Sequence, residues 1–337
     1  MRKLGVGVVG IGEMGRRHAE NLRRNVPEAR LVAVADVSED RVRQTAQELE
    51  LDRSYNSLDA MLEDKEIDAI LIATPDKFHA TAVVKAAAAG KDILCEKPLA
   101  LNLADASVAL GAVSKAGKRL QMGFMRRYDP AYTAAMKRIE GGEIGTPVIF
   151  KSLGRDKDQP PIAAYESNVN GMIFYTNTIH DFDLARWLMS DEVTQVQAYT
   201  TSVIRPEVAK YGDVVASVVN MQYRRGAIGN VESYAQAVYG YDVRTEVVGS
   251  KGTILIGSLD RTPAVFLTSR GGEQMLADHF LSRFAEAYLA EVRDFVQSIL
   301  HDREPRVSGT DGLRALAIAV AAEESHKQSV PVAVKLE

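Results

Sequence analysis

Two titratable side chains stand where a reaction would need to move a proton. Lys97 sits in Glu96-Lys97-Pro98, directly after a short apolar run. An unpaired ammonium at the end of a buried strand is costly. It therefore needs a carboxylate such as Glu96, a substrate, or a cleft open to water; the plain alternative is a solvated loop lysine. Pro98 fixes the local backbone and helps to aim the lysine. His180 lies in Thr178-Ile179-His180-Asp181-Phe182-Asp183, ahead of Leu184, Ala185, Trp187 and Leu188. On a helix His180 shares a face with Asp183 and with Thr176. Imidazole exchanges a proton near neutral pH, although a histidine on the apolar side of a helix is more often a satisfied core residue. The remaining histidines, His18, His79, His279, His301 and His326, show no close spacing of metal ligands, so no metal is expected.

A third motif binds instead of reacting. Gly10-Ile11-Gly12-Glu13-Met14-Gly15 fits G-x-G-x-x-G, follows an apolar strand and opens a helix. Asp36 follows 21 positions after Gly15, at the end of the second strand. Together these form the dinucleotide-binding context. Gly10 permits a tight turn, Gly12 lets the backbone approach a pyrophosphate, and Gly15 allows close helix–strand packing. The helix N-terminus supplies N–H donors and a partial positive charge. Asp36 accepts from ribose hydroxyls and repels a 2′-phosphate; Val37 beside it offers no compensating cation. NAD is expected in preference to NADP. Thr74-Pro75 and Glu96-Lys97 also end strands, so they should face the same cofactor, as ligands do in open α/β sheets. Thr74 and Pro75 line it by their backbone, and His79 starts a helix beside it.

The elements that must carry these residues alternate in the first third of the chain. Apolar runs at Leu4–Val9, 31–35, 67–73, 92–95 and 119–124 are separated by helical stretches at 15–24, 41–49, 78–89 and 102–115. That pattern predicts βαβ units and a doubly wound parallel sheet, whose strands are apolar on both faces. After residue 124 the pattern changes. A helix over 131–140, a strand over 148–153 and a helix over Ile179–Met189 precede β-rich runs at 196–203, 214–223, 227–235, 244–248 and 253–257, which suggest a large, mostly antiparallel sheet. Phe280, Phe284, Tyr288, Val292, Phe295 and Ile299 then mark an amphipathic helix, and an Ala-rich helix covers 312–325. The division expected is an NAD-binding α/β domain over 1–123 and an α+β domain over 124–337.

Composition narrows the function further. The 337 residues carry 41 basic and 45 acidic side chains, net −4, which argues against a nucleic-acid binder. A single cysteine, Cys95, excludes an internal disulfide framework and multi-cysteine zinc sites. No apolar run reaches the length of a membrane span. The start of the chain reads as a buried strand, not a signal peptide, so a cytoplasmic setting is the default expectation.

Several of these motifs occur together in one known family. The Gly10-to-Gly15 loop, Thr74-Pro75, Glu96-Lys97-Pro98, Gly123-Phe124-Met125-Arg126-Arg127-Tyr128-Asp129 and Ile179-His180-Asp181 stand in that order. The chain resembles, over essentially its whole length, the Gfo/Idh/MocA family. Within it the likeness is to bacterial inositol 2-dehydrogenases, supported by Arg155-Asp156, Tyr239-Gly240-Tyr241-Asp242 and Val307-Ser308-Gly309-Thr310-Asp311-Gly312. The resemblance implies a Rossmann domain followed by an open-sheet domain, and assembly into homotetramers or dimers through that sheet. It implies that Lys97 contacts the reacting hydroxyl, that His180 takes its proton, and that Arg126, Asp156, Asp183 and Tyr241 hold the other hydroxyls of a polyol or sugar. The nicotinamide would accept the hydride. The two catalytic groups would come from separate lobes.

Two positions depart from that pattern. Such dehydrogenases carry an aspartate four residues before the histidine, where this chain has Thr176, and Asn170-Gly171 replaces a Gly-Gly pair. Thr176 hydrogen-bonds but cannot stabilise an imidazolium as a carboxylate does. Asp183 is placed to take over part of that role, and the substrate range implied widens from inositol to other polyols and sugars. Two further readings of the same motifs are an NAD-dependent glycosidase using transient oxidation and a non-catalytic NAD- or sugar-sensing regulator; the latter has no need of both Lys97 and His180.

Overall fold

A computed structural model describes residues 3–166, 172–257, 260–269 and 271–336. The Asn170-Gly171 pair lies outside them. The chain divides into two compact units: the chain up to Met125 together with Glu286–Leu316, and Arg126–Ala285 together with Ala317–Leu336.

In the first unit the apolar runs form β1 (Leu4–Val9), β2 (Ala29–Ala35), β3 (Ser54–Tyr55), β4 (Ala69–Ile72), β5 (Asp92–Glu96) and β6 (Leu120–Gly123). They build one parallel sheet in the order β3-β2-β1-β4-β5-β6. The order reverses at β1, which creates the crevice where such sheets bind ligands. β1, β4 and β5 are buried along their whole length, as strands covered on both faces must be. The two-residue β3 is too short for a period-2 signal and had no sequence signature.

The expected cut after residue 123 did not foresee that Glu286–Leu316 returns to this unit. The helix Ala285–Leu300 buries Val292, Phe295 and Val296 in the same core as Val6, Val8, Leu31 and Leu71. Its amphipathic period was readable; which core would receive its apolar face was not.

In the second unit β7 (Pro147–Arg155), β8 (Val193–Thr201), β9 (Ala216–Tyr223), β10 (Ile228–Tyr234), β11 (Asp242–Gly249), β12 (Thr253–Ile256) and β15 (Val332–Ala333) form a seven-stranded sheet, ordered β12-β11-β7-β10-β9-β8-β15. All neighbours are antiparallel except β7 and β10. β9 and β10 alternate buried and exposed positions, the mark of a sheet covered on one face only. The helix Ile179–Met189 packs on this sheet and is buried at ten of its eleven residues. A separate hairpin pairs β13 (Asp260–Thr268) with β14 (Gly271–Leu276). No described helix is long and apolar enough to cross a membrane.

Candidate active-site residues

The glycine loop closes the turn from β1 into the helix Glu13–Asn25. Gly10 adopts φ +87°, where a Cβ is strained. A Cβ on Gly15 would lie 1.7 Å from the Gly10 carbonyl oxygen, so only glycine lets the helix begin this close to the strand. At Gly12 an added Cβ would meet nothing within 4 Å, so that stretch of backbone borders open space. Gly12 is the N-cap and makes no side-chain cap, so the first turn of the helix offers its positive end to an anion. Asp36 closes the loop from the side: one oxygen accepts from the Ile11 N–H at 2.7 Å, and the other from the Ser38 N–H at 2.9 Å. Arg41 lies 3.2 Å from that second oxygen, a cation that inspection of Val37 alone missed. The loop fits a dinucleotide: a glycine-lined approach, an uncapped helix start and a ribose-side carboxylate.

Thr74 and Pro75 follow β4, and His79 begins the helix His79–Ala88. The His79 ring is buried and both nitrogens lie 2.6 Å from carbonyl oxygens, Nδ1 from Pro98 and Nε2 from Thr74. One imidazole thus ties the segments after β4 and β5 together. Glu96 ends β5 buried, and Lys97, half-buried, follows it through a cis bond to Pro98. Glu96 Oε1 lies 2.8 Å from His18 Nε2, and Oε2 accepts the Lys97 N–H at 3.3 Å. Burial works to raise the Glu96 pKa, but His18 and Lys97 outweigh it and hold the carboxylate below its ordinary range. His18 was not singled out in sequence; its place eight residues beyond Gly10, on the helix after the loop, was the available signal.

The second unit gathers the other residues. His180 is 9% exposed near the start of the helix Ile179–Met189. Two aspartates of that helix pair with the two arginines of the Met125–Tyr128 turn. Arg126 Nη1 donates to Asp181 Oδ1 at 2.8 Å, while Arg127 donates through Nε and Nη2 to both oxygens of Asp183 at 2.8 and 2.5 Å. All four side chains are buried. The repeat Arg-Arg against Asp-x-Asp was present in the sequence, but nothing there showed that the two runs meet. Asp183 is therefore held first by Arg127, and it meets a hydroxyl only through the lone pairs left on those oxygens.

Around Arg126 the polar groups interlock. Ser152 on β7 donates to Asp181 Oδ1 at 2.5 Å, Asn177 donates to Asp156 at 2.5 Å, and Tyr241 hydrogen-bonds Arg126. Burial raises the Asp181 pKa, a shift that Arg126 and Ser152 only partly offset. Burial likewise pushes the Tyr241 hydroxyl up and keeps it a neutral donor. Gly154 lets this happen: its Cβ would lie 3.0 Å from both Asn177 Oδ1 and Asp181 Oδ2. Arg126 and Tyr241 thus share one network with Asp181 and Ser152, and Asp156 is held beside it by Asn177; Asn177, Asp181 and Ser152 were not foreseen. Thr176, half-buried, turns its hydroxyl back to the Met172 carbonyl at 3.4 Å. Lys97 belongs to the first unit and His180 to the second.

Comparison with known proteins bears on both units. Residues 4–124 match the Gfo/Idh/MocA model described as an oxidoreductase family with an NAD-binding Rossmann fold, and residues 136–334 match that family's C-terminal alpha/beta domain. The chain is 38% identical over 325 residues to scyllo-inositol 2-dehydrogenase (NAD(+)) of Bacillus subtilis, covering 96% of this chain and 94% of that one. It is 38% identical over 329 residues to myo-inositol 2-dehydrogenase of Thermotoga maritima, covering 96% and 97%. Among solved structures, scyllo-inositol dehydrogenase from Lactobacillus casei with bound NAD(H) and scyllo-inositol superposes with a TM-score of 0.94 at 27% identity, over 99% of both chains.

Proposed function

The chain belongs to the Gfo/Idh/MocA oxidoreductase family, and from that premise we propose that it is an NAD-dependent dehydrogenase that oxidises a ring hydroxyl of a cyclitol of the inositol class to a ketone. The observation that carries this reading is the cluster of polar groups in the second unit, the buried Arg126, Asp181 and Tyr241 with the half-buried pair Asp156 and Asn177, in a chain similar end to end to two inositol 2-dehydrogenases. Donors and acceptors fixed inside a protein suit a ligand bearing a hydroxyl on every carbon. They reject one that lacks a hydroxyl, because a buried group is then left unpaired.

When bound, NAD supplies the hydride acceptor. The first-turn N–H groups after Gly12 hold its pyrophosphate and Asp36 its ribose; Thr74, Pro75, His79 and Glu96 shape the strand ends beside it. His180 acts as general base on the reacting hydroxyl. Lys97 donates a hydrogen bond to the same oxygen and stabilises its developing negative charge. Arg126, Asp156, Asp183 and Tyr241 hold the remaining hydroxyls, Thr176 contributes only a hydroxyl where relatives place a carboxylate, and the chain works as a homo-oligomer assembled through the open face of its seven-stranded sheet.

A panel of myo-inositol, scyllo-inositol, other cyclitols, hexoses and pentoses with NAD tests the reading. NADH absorbance and ketone product should rise together, one to one, with a cyclitol. Release of a free sugar without net NADH, or binding without turnover across the panel, would overturn it.

A further inference from the structure

Three ionisable side chains of the first unit meet in a dry place that the proposed chemistry leaves unused. His18 comes from the helix Glu13–Asn25, Glu96 from the end of β5, and Glu291 from the helix Ala285–Leu300. Their nearest nitrogen and carboxylate oxygens all lie within 4.8 Å of one another. His18 and Glu291 are 0% exposed and Glu96 is 6% exposed. No N–H or O–H of a described residue donates to either oxygen of Glu291, and the nearby carboxylate of Glu96 can only accept. The nearest polar neighbour of its helix turn, Gln121, donates its Nε2–H to the Glu291 backbone carbonyl and not to the side chain.

Two carboxylates this close cannot both stay ionised without water or a cation between them. Glu96 has claims on its negative charge from two sides, His18 Nε2 and the Lys97 N–H. Glu291 has none. The other charged groups near the pair are His79 and Lys97 beside Glu96, and Asp294 one turn along from Glu291; Asp294 is itself paired with Arg303. His18 lies within 4.8 Å of both carboxylates but its Nε2 bonds Glu96, Lys97 also stands on the Glu96 side, and the charge acting on Glu291 from its own helix is negative. Space is reserved for the ionised member: a Cβ on Gly123 would lie 2.8 Å from Glu96 Oε2.

We propose that Glu291 is a neutral carboxylic acid that donates its proton to the Glu96 carboxylate, and that this buried acid–carboxylate pair, with His18, is a positioning device for Lys97. The donated hydrogen bond fixes the rotation of the Glu96 carboxylate, which in turn holds the Lys97 backbone N–H. Burial and the neighbouring Glu96 charge both push Glu291 toward the protonated form. Glu291 is a positioning residue: it reaches the reaction only through Glu96. This part of the proposal rests on the dehydrogenase reading; the protonation of Glu291 does not.

The test uses the full-length protein and two variants, Glu291→Gln and Glu291→Leu. Infrared difference spectra of parent minus Glu291→Gln should show the C=O stretch of a buried protonated carboxyl. Gln keeps a neutral donor of the same shape, so Glu291→Gln should retain the parental kcat within about twofold. Leu removes the donor, so kcat for the cyclitol should fall on the order of ten- to a hundredfold with the KM for NAD nearly unchanged, as expected of a group displaced by a fraction of an ångström. Absence of the carboxyl band, a stoichiometric divalent metal that Glu291→Gln loses, or a Glu291→Gln variant as impaired as Glu291→Leu would each overturn the proposal. If Glu291→Leu does not fold, the spectrum and the Gln variant still decide. If the parent oxidises no cyclitol, the dehydrogenase reading falls while the spectrum reports on Glu291 unaffected.

Discussion

Replacing Asp183 by asparagine separates a ligand for substrate from an internal counter-ion. Arg127 is 6% exposed and Asp183 is 1% exposed, and the pair is bidentate. Asp183→Asn keeps the shape and one acceptor but removes the charge that faces the buried guanidinium, which also lies 5.6 Å from the Trp187 ring. Breaking a buried pair from one side costs about 3–5 kcal/mol, because an uncompensated charge stays in the interior. That is a large fraction of the ~5–15 kcal/mol that holds a typical domain together. Urea denaturation followed by far-UV circular dichroism should show this loss. Replacing both partners, Arg127→Met with Asp183→Leu, should cost clearly less than either single change, since no orphan charge remains. Activity is the second readout: Asp183→Asn protein that is still folded should lose kcat as well as affinity for cyclitol. A variant as stable as the parent that differs only in KM for the cyclitol would refute the buried-pair reasoning and return Asp183 to a purely ligand-binding role.

Other consequences follow from single positions. Glu291→Gln changes the pH dependence of stability. The folded protein holds the Glu291 proton well above the ordinary value near 4.5 while the unfolded chain releases it there, so parental stability falls as pH rises above that value. The variant, with no such proton to hold, should gain on the parent as pH rises above that value; parallel stability curves would contradict a neutral Glu291. Gly15→Ala drives a Cβ against the Gly10 carbonyl, so the loop must open. The loss of about two charge-assisted hydrogen bonds should weaken NAD about a hundredfold by fluorescence titration. Asp36→Ala frees the Ile11 and Ser38 N–H groups and leaves Arg41 without its carboxylate. NAD should bind about tenfold more weakly while NADP improves; unchanged discrimination between the two would place the ribose elsewhere.

The fold was legible where local chemistry carries the signal. The apolar runs of β1, β4 and β5 and the glycine loop between β1 and its helix can be read without tertiary knowledge, because a strand buried on both faces and a tight phosphate-binding turn each leave a composition. The helix Ile179–Met189 was readable from its spacing to the residue. What stayed hidden depends on which distant segments meet. Arg126-Arg127 and Asp181-x-Asp183 lie 55 and 56 residues apart and share no local pattern, so their pairing appears only in three dimensions. Glu291 reads in sequence as one more charge on the polar stripe of an amphipathic helix; it is fully buried because that helix packs into the core of a sheet whose last strand, β6, ended far earlier, at Gly123. The two-residue strands β3 and β15 are too short to show a period.

The central claim is that Lys97 and His180 serve one hydroxyl. Its most direct test is the turnover of Lys97→Ala with NAD and the best cyclitol of the panel, measured beside its affinity for NAD. The account predicts NAD binding within a few-fold of the parent and a loss of turnover on the order of a hundred- to ten-thousandfold, with His180→Ala in the same range. A Lys97→Ala enzyme that turns over as fast as the parent would contradict it.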